Sequence, residues 1–400
     1  MKTVSELDLP TFDYYGEDSP RGEEYHRVVS ELAAGNWLAT SPLAYFVLDR
    51  EAGELFLRTK KATFPGQEMA KIFDIQPGPL YDEIANNILH VNGERHGRLR
   101  GLVNPAFTPK AANTWRPAMR GFLEQLWDGV ADAKRCEFVT AFAKPYPSLT
   151  IANLMGADLA DAPRLHHWSN WIQAQFDFQA IMNERDKIEQ AVIEFYEYAH
   201  ALLERRRDDP GDDLISTLLA AEAEGDRLSD VECVNLVLNV LVGGVDTTQS
   251  QLAQGIRLFA EHPDQWELLA GNPELAANAV WEILRYEPIT PFTARIMLED
   301  VEVRDVLFPQ GTIVLVGAVT ANREVERGEE FDITAERPER LLTFGAGIHY
   351  CLGANLARAE LEEALSFLAP RMPGLRLDGD VRYGNITGIY GLDELSVAWD

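Results

Sequence analysis

The chain has 400 residues and carries 64 acidic against 36 basic side chains, a formal net charge of −28 at pH 7. Such an excess of negative charge repels phosphate backbones, which argues against nucleic acid as a partner. The acidic, proline-broken N-terminus lacks the features of a secretory signal, and the most apolar stretch, residues 234–245, is too short to span a bilayer. We therefore expect a cytoplasmic protein that does not enter a membrane.

The sequence shows no internal repeat and no linker rich in serine or glycine. We therefore expect residues 1–400 to form one domain and the protein to be a monomer. The three cysteines, Cys136, Cys233 and Cys351, show no CxxC spacing, which argues against a disulfide framework and a zinc site. Cys136 and Cys233 are expected to pack in the core, as most buried cysteines do.

The first predicted elements along the chain are two short strands within residues 42–60, placed around a turn at REAGE. Residues 92–120 follow, with six basic side chains against the single acidic residue Glu94, so this stretch could meet an anion. Residues 185–207 have the apolar spacing of a helix, which Pro210 and Gly211 prevent from continuing.

The longest predicted helix begins at Ser229, which forms a capping-box pattern with Glu232, and ends before Pro263. It would be about 50 Å long at the usual helical rise. A helix of that length, apolar on nearly all sides, has to cross the middle of a large domain.

Two adjacent glycines, Gly243 and Gly244, interrupt the centre of this helix. Each costs about 1 kcal/mol relative to alanine in a helix interior, so something must offset that cost. Either the glycines allow close packing against another helix, or they mark a local break at which backbone, Asp246 and Thr247 face a ligand. The stretch by itself does not decide between the two.

A further helix is predicted from Pro273 to Tyr286, and it places Glu282 and Arg285 on one face. Flanking apolar residues make burial of this pair plausible, and a buried pair would fix the fold rather than perform chemistry. Residues 299–318 predict β-hairpins with a turn at PQG. The elements together predict a mainly α fold with a minor β region.

Cys351 lies among glycines just before a run rich in Ala, Leu and Glu that predicts a helix beginning near Gly353. A helix N-terminus stabilises an anion, so a thiolate is favoured there as a nucleophile or as a metal ligand. A nucleophile would use His349, two residues away, as its base. The glycines at 345, 347 and 353 let the backbone lie against something large, which an iron ligand explains better than a nucleophile.

The stretch FGAGIHYCLG, residues 344–353, resembles the haem-binding signature of the cytochrome P450 superfamily, Phe-x-x-Gly-x-(Arg or His)-x-Cys-x-Gly. The matching positions are Phe344, Gly347, His349, Cys351 and Gly353. GGVDTT resembles the oxygen-binding break of that family's long central helix, and Glu282-x-x-Arg285 its buried ion pair. The likeness covers nearly the whole chain and implies the cytochrome P450 fold, with haem between the central helix and the helix after Cys351.

The resemblance also implies which side chains hold the haem propionates. RHGRLRGLVNPAFTP is similar to the family's helix whose His and Arg do so, which places His96 and Arg100 in that role. The segment TAR resembles the strand that carries another such arginine, Arg295, and His349 becomes a further propionate contact. The implied cofactor is heme b, with Cys351 as the iron ligand.

One stretch departs from the family pattern. Members usually carry an arginine before the haem loop that completes a triad with the Glu-x-x-Arg pair. Here the stretch reads ANREVERGEEFDITAERPERLL, in which a proline is missing and Glu330 stands where an arginine is common. Arg327 is a possible substitute, although an exposed position is expected for it.

The resemblance implies a monooxygenase that hydroxylates a hydrophobic small molecule of terpenoid, steroid, fatty acid or polyketide type. Thr247 would assist oxygen activation and Asp246 would relay protons. Electrons would come from NAD(P)H indirectly, through a separate ferredoxin and an NAD(P)H-dependent ferredoxin reductase. The basic stretch within residues 92–120 would suit an acidic ferredoxin.

The residues expected to contact substrate are mostly apolar and come from three regions of the chain. They are Asn239, Val242 and Val245 on the central helix, Pro291, Phe292 and Ala294 on the strand approaching haem, and Ile389 in a C-terminal turn. Asn239 is the possible single polar anchor. Residues 75–92 fit a lid over the pocket.

Other functions remain open from the sequence. A haem-thiolate peroxygenase, a P450 that does not insert oxygen and a haem-binding sensor without turnover would share the Cys351 ligand. The intact pair of Asp246 and Thr247 argues against all three. A cysteine hydrolase using Cys351 and His349 would leave the helix break and the Glu-x-x-Arg pair unexplained.

Overall fold

A computed structural model describes residues 1–13, 19–223, 228–337 and 340–400 of the chain. The helices in these residues are α1 Gly22–Ala33, α2 Arg50–Arg58, α3 Gly66–Ile72, α4 Pro79–Asn86, α5 Gly93–Val103, α6 Pro109–Thr114, α7 Arg116–Asp128, α8 Pro145–Met155, α9 Ala162–Gln173, α10 Phe178–Asn183, α11 Arg185–Asp208, α12 Leu214–Ala223, α13 Asp230–Gly244, α14 Asp246–Glu261, α15 Pro263–Gly271, α16 Ala276–Tyr286, α17 Ala318–Arg323 and α18 Ala354–Leu368.

The strands are short, and those in the described residues are divided among four sheets. They are β1 Lys2–Thr3, β2 Leu38–Thr40, β3 Tyr45–Val47, β4 Ala62–Thr63, β5 Arg135–Glu137, β6 Phe292–Met297, β7 Val301–Val303, β8 Val306–Phe308, β9 Ile313–Gly317, β10 Arg376–Leu377, β11 Arg382–Tyr383, β12 Leu392–Glu394 and β13 Ser396–Ala398. The largest sheet has the order β2-β3-β9-β6-β4. The mainly α fold with a minor β region is therefore confirmed.

The helices pack around one large apolar core, and two smaller cores lie under the five-stranded sheet. α13 and α14 run through the large core, and most of their residues are buried. The continuous stretch Asp230–Glu261 is long and apolar enough to cross a membrane, but 67% of its most apolar window is buried inside the fold. Such burial is expected of the core helix of a globular domain.

The prediction of two strands within residues 42–60 is half wrong. Tyr45–Val47 is a strand, but Arg50–Arg58 is a helix capped by the Asp49 carboxylate, which accepts the Ala52 N–H at 2.9 Å. Its buried residues 52, 53, 56 and 57 recur at the spacing of a helix and not at the two-residue spacing of a strand, so the prediction of a strand here is wrong. The helices predicted at 185–207 and 273–286 are confirmed, the last beginning as a single 3₁₀ turn over Pro273–Leu275. Within 299–318 the hairpin of β7 and β8 is confirmed, but a hairpin at PQG is wrong, because this turn joins β8 to β9 of a different sheet.

Candidate active site

A cavity of about 480 Å³ opens inside the large core. Its walls come from the junction of α13 and α14, the loop before α18, strand β6, residues 64–90 and the turn at 387–389. The lining is mainly aliphatic and aromatic, with a few polar groups. A cavity of this size and character is typical of a site for a small apolar ligand.

Cys351 lies in the wall of this cavity, directly before α18. Its side chain is exposed although it lies deep in the molecule, because its free surface faces the cavity. The Cys351 N–H donates to the Phe344 carbonyl at 2.9 Å and closes the loop. Burial raises the pKa of the thiol, whereas the Gly353 and Ala354 N–H groups and the Arg100 charge act to lower it. These N–H groups at the start of α18 are placed to stabilise a thiolate.

The loop glycines serve two different purposes. Gly347 has φ +75° and does not line the cavity; a Cβ there would lie 2.6 Å from the Leu57 carbonyl oxygen, so glycine allows the loop to pack on α2. Gly353 lines the cavity, and a Cβ there would meet no atom within 4 Å. Phe344 lines the cavity as well. Gly347 is thus explained by packing rather than by contact with a ligand.

The two glycines of the central helix also divide their roles. A Cβ on Gly244 would lie 2.4 Å from Ile151 Cδ1, so this glycine permits close packing of α13 on α8. Gly243 lines the cavity, and a Cβ there would meet nothing within 4 Å. The helix breaks at Val245, between α13 and α14. Close packing is therefore confirmed for Gly244, and both glycines line the cavity. That this break faces a ligand stays a prediction.

Thr247 lines the cavity at this break, and its hydroxyl donates to the Gly243 carbonyl at 2.7 Å. Such a back-bond from a Thr hydroxyl often accompanies a bend in a helix. The hydroxyl therefore lies at the cavity surface, and its bond to the Gly243 carbonyl fixes its position.

Asp246 does not line the cavity. Its buried carboxylate accepts the Ser169 hydroxyl at 2.5 Å and the Asn170 amide at 3.5 Å, both from α9. Burial raises the pKa of this carboxyl, and its bonds to Ser169 and Asn170 oppose the rise. Asp246 thus bonds the helix break to α9 and does not face the cavity.

Two arginines in the cavity wall have no acidic partner. Neither Arg100 nor Arg295 forms an ion pair with a carboxylate among the described residues. Arg100 donates to the Tyr350 carbonyl at 2.5 Å, and Arg295, 3% exposed, donates to the Ala294 carbonyl at 2.8 Å. Burial without a counterion lowers the pKa of Arg295 to about 10. A desolvated, uncompensated cation of this kind is costly unless an anion binds beside it.

Two histidines lie beside these arginines. The rings of His96 and His349 lie 4.5 Å apart between centroids, and His349 lines the cavity while His96 does not. His96 Nε2 is buried and has no hydrogen-bond partner among the described residues. Burial, followed by the neighbouring cations, lowers the pKa of His349 to about 3. His96, Arg100, Arg295 and His349 therefore gather at one place that lacks acidic groups, and we name them the cation cluster.

The expected substrate contacts are only partly in the cavity wall. Asn239, Val242, Phe292, Ala294 and Ile389 line it, whereas Val245 and Pro291 do not. Val245 is fully buried at the helix break, and the Pro291 carbonyl accepts the Ala318 N–H at 2.9 Å. Residues Ile75, Ile84 and 87–90 of the predicted lid do line the cavity, around the short helix α4.

The third member of the buried ionic group is Arg337, which the sequence did not indicate. Arg285 donates to both Glu282 oxygens at 2.7 Å, and Arg337 approaches Glu282 Oε1 at 3.4 Å. Arg327 is 58% exposed and pairs with Glu330 at the surface. The expectation that Arg327 is exposed is confirmed, and the replacement for the missing arginine comes from later in the chain.

The basic stretch within residues 92–120 does not form an open positive surface. Arg95 and Arg98 pair with Glu232, while Arg116 and Arg120 pair with acidic residues of α18, Glu362 and Glu363. Most of its charge is thus offset by residues far away in the sequence. The stretch gives no evidence of a docking surface.

Glu360, on α18, was missed from the sequence. It is 1% exposed, lines the cavity, and its Oε2 accepts the Thr248 hydroxyl at 3.4 Å. Burial raises the pKa of this carboxyl well above its ordinary range. The neighbouring Glu362 and Glu363 pair with arginines, and nothing in the Glu-rich pattern separates Glu360 from them.

Comparison with known proteins adds four findings. A family model described as Cytochrome P450 matches residues 45–270 and 272–368. Luteothin monooxygenase of Streptomyces thioluteus is 36% identical over 399 residues, covering 97% of this chain and 95% of the relative. The polyketide biosynthesis cytochrome P450 PksS of Bacillus subtilis is 32% identical, with 95% and 98% covered. The crystal structure of CalO2 superposes with a TM-score of 0.91 at 30% identity, covering 98% of this chain and 99% of CalO2.

Proposed function

The chain belongs to the cytochrome P450 family, and from this premise we propose that it is a haem-thiolate monooxygenase that hydroxylates an apolar small molecule of polyketide type. The chain is an oxidoreductase of the P450 monooxygenase kind. The observation that carries the finer proposal is the placement of Cys351, Thr247 and the cation cluster around one apolar cavity.

The residues around the cavity fit a haem. Cys351 presents its sulfur to the cavity beside the N–H groups of α18, as an anionic iron ligand requires. The cation cluster offers unpaired positive groups and the unpartnered His96 Nε2, which suit two carboxylates. Gly243 and Gly353 leave open space where side chains would otherwise project. Cys351 would therefore hold the iron, and the cation cluster the propionates.

Once bound, haem iron supplies the reduction of dioxygen and the insertion of one oxygen atom into the substrate. The protein contributes ligation, orientation and protons. Thr247 presents a hydroxyl at the cavity surface, and its partner Gly243 holds that hydroxyl in one orientation. The hydroxyl has a single proton, so while it is bonded to Gly243 it can accept a hydrogen bond from a protonated oxygen atom. To donate to an oxygen atom in the cavity and pass a proton to it, the hydroxyl has to release Gly243.

Two carboxyl groups can supply protons to this hydroxyl. Asp246 precedes Thr247 and reaches α9 through Ser169, so a change of its rotamer would carry a proton from that side. Glu360 lies in the cavity wall, accepts the Thr248 hydroxyl, and has a pKa that burial raises, which favours its protonated form. We assign to both the role of proton source, with Thr247 as the donor nearest the reaction.

The substrate class follows from the lining and from the relatives. Val242, Phe292, Ala294 and Ile389 present apolar surface, which favours binding by shape. The relatives named for luteothin and polyketide biosynthesis support a polyketide within the terpenoid, steroid, fatty acid and polyketide range. We propose that electrons come from NAD(P)H through a separate ferredoxin and its reductase in the cytoplasm.

The proposed function is tested by reduced carbon monoxide difference spectroscopy of the purified protein. We expect the absorption band of a thiolate-ligated haem, followed by NAD(P)H-dependent product formation with a surrogate ferredoxin and reductase. A haem-loaded protein without that band, in fresh preparations, would exclude Cys351 as the ligand and with it the monooxygenase.

Replacing Thr247 with alanine is expected to uncouple the reaction. Removal of the hydroxyl takes away the proton donor at the cavity, so the ratio of product to NAD(P)H consumed should fall by about tenfold or more. The measurement compares product yield with cofactor oxidation. Thr217→Ala is the matched control, because the Thr217 hydroxyl makes the same back-bond, to Asp213 at 2.9 Å, without lining the cavity. Unchanged coupling in Thr247→Ala would remove Thr247 from the mechanism.

Replacing Arg295 with leucine is expected to weaken haem retention by roughly 10- to 100-fold, the loss of one charge-assisted hydrogen bond. Haem transfer to an acceptor protein measures this. The apoprotein should unfold at the same or higher urea concentration, because an unpaired buried charge has been removed. Arg295→Lys keeps the charge, so its haem retention should lie between that of the wild type and that of Arg295→Leu. Equal retention by all three proteins would contradict a propionate role.

A further inference from the structure

Five residues of the cavity wall carry a buried side-chain atom that has no hydrogen-bond partner among the described residues: His90, Gln175, Asn239, Gln251 and Glu360. The first three are joined through residues 83–90. Folded proteins leave few such atoms, since each costs about 1–3 kcal/mol. Three together in a ligand-binding wall indicate a group that a ligand completes.

The Asn239 amide has a fixed orientation. Its Oδ1 accepts the Ile88 N–H at 2.8 Å, which joins α13 to the chain segment after α4. The remaining atom, Nδ2, is therefore a donor without a partner. Asn239 lies one helical turn before Gly243, so the donor stands near the helix break.

The tautomer of His90 is fixed as well. Its Nδ1 lies 2.8 Å from the Ile84 carbonyl oxygen, so Nδ1 carries the proton and Nε2 is an acceptor. Burial lowers the pKa of His90 to about 4, so the ring is neutral at pH 7. The ring stacks on Phe64 at 5.3 Å between centroids, and a Cβ on Gly66 would overlap it, at 2.2 Å from Cγ. Packing thus holds this acceptor in one place.

Gln175 supplies a second acceptor. Its amide nitrogen donates to the Ile172 carbonyl at 3.0 Å, which leaves Oε1 without a partner. The Gln175 side chain also hydrogen-bonds the buried Glu83 carboxyl, so it lies against the segment that leads to Ile88 and His90. The buried Glu83 carboxyl, bonded to Asn87 at 2.7 Å, lies beside the same segment.

We propose that Asn239, His90 and Gln175 form a recognition site for a neutral hydroxyl group of the substrate. A hydroxyl is the group that can accept from the Asn239 amide and donate to His90 or Gln175. A carboxylate can only accept, and it would face two acceptors and the Glu83 carboxyl without a cation. A ketone would satisfy Asn239 alone. The substrate is therefore an apolar molecule that already carries a hydroxyl group.

The three atoms are covered by neighbouring atoms in the ligand-free structure. Access to them requires a small outward movement of the segment that carries Ile88 and His90. That segment is held to α13 by the Asn239 bond, which a ligand hydroxyl would replace or extend. This inference rests on the proposed function, because it assigns the substrate of that same site.

The test is equilibrium titration of the ferric, haem-loaded protein, followed by the shift of its Soret band. Two probe pairs are used: dodecanol against lauric acid, and testosterone against androstenedione. The hydroxyl member of each pair should bind about tenfold more tightly, the effect of one added hydrogen bond to a buried group. Econazole reports in each preparation whether the site is loaded and accessible.

Two variants and two matched controls assign that preference to residues. His90→Phe keeps the ring stacking, and Asn239→Asp keeps the acceptor for Ile88 while removing the donor. Both should abolish the hydroxyl preference. His262→Phe and Asn235→Asp should keep the hydroxyl preference, because neither residue lines the cavity. His262 makes the same kind of Nδ1 contact to a carbonyl oxygen, at 2.8 Å to Leu258. The Asn235 amide donates to the Val231 carbonyl and accepts the Tyr196 hydroxyl.

Three outcomes would each overturn the proposal. The first is equal affinity within both probe pairs, and the second is a hydroxyl preference that survives in His90→Phe and Asn239→Asp. The third is that neither hydroxyl probe binds to a protein that binds econazole. These outcomes leave the carbon monoxide band of the wild type in place. Loss of that band in the wild type would instead overturn the proposed function, and the substrate assignment with it.

Discussion

Replacing Cys351 with serine is expected to abolish hydroxylation, by about 10³-fold or more, while the chain still folds. The side chain faces a cavity, so the change from sulfur to oxygen disturbs no packing. What is lost is the thiolate, whose electron donation to iron favours cleavage of the oxygen–oxygen bond. The N–H groups of Gly353 and Ala354 remain, but they would face a hydroxyl that stays neutral at pH 7.

The measurement is the reduced carbon monoxide spectrum together with product formation. Cys351→Ser should lose the thiolate band and keep its secondary structure by circular dichroism. Cys136→Ser is the matched control, since Cys136 lies on β5, far along the chain from the cavity lining, and burial raises the pKa of its thiol to about 12. A thiolate band that persists in Cys351→Ser would show that another side chain ligates the iron.

Replacing Glu282 with alanine is expected to destabilise the protein by about 3–5 kcal/mol, which can prevent folding altogether. The Glu282 carboxylate is 2% exposed, binds Arg285 through two bonds of 2.7 Å and accepts the Asp332 N–H at 3.0 Å. Its loss leaves the fully buried Arg285 without a counterion. Urea unfolding of the haem-loaded protein measures the change.

The matched control is the exposed ion pair nearby. Arg327→Ala should leave the urea midpoint almost unchanged, because Arg327 and Glu330 are both more than half exposed and solvent screens their attraction. Arg337→Ala should cost more than Arg327→Ala, since Arg337 is 9% exposed and lies beside Glu282. Equal losses for Arg327→Ala and Arg337→Ala would contradict the assignment of Arg337 as the third member of the ionic group.

Much of the cavity wall could be predicted from short-range pattern. The cysteine before a helix, the polar residues at a glycine break and the Glu-x-x-Arg spacing each concern residues a few positions apart on one element. Such spacing determines which side chains share a helix face, whatever the rest of the fold does. Cys351, Thr247 and Glu282 were accessible to sequence reasoning for this reason.

Other residues became visible only through packing. The sequence predicted a turn at REAGE followed by a strand, yet these residues form α2. Gly53 allows α2 to lie against β9, because a Cβ there would lie 2.9 Å from Val316 Cγ1. The basic stretch within residues 92–120 looked like a docking surface until acidic residues of α13 and α18 were found beside it. The positive charge of this stretch, counted from its own residues, is thus largely offset by acidic residues of other helices.

The sequence by itself determined the family, the fold class, the cysteine that faces the cavity and the threonine at the helix break, because these depend on local spacing and on residue chemistry. The tertiary structure decided which partners those residues have. It turned Asp246 toward α9 and placed Arg337 beside Glu282. It also gathered the cation cluster away from acidic groups and left Asn239 Nδ2 and His90 Nε2 without a partner among the described residues. Partner choice between elements depends on how helices and strands pack, and no single stretch of sequence records that.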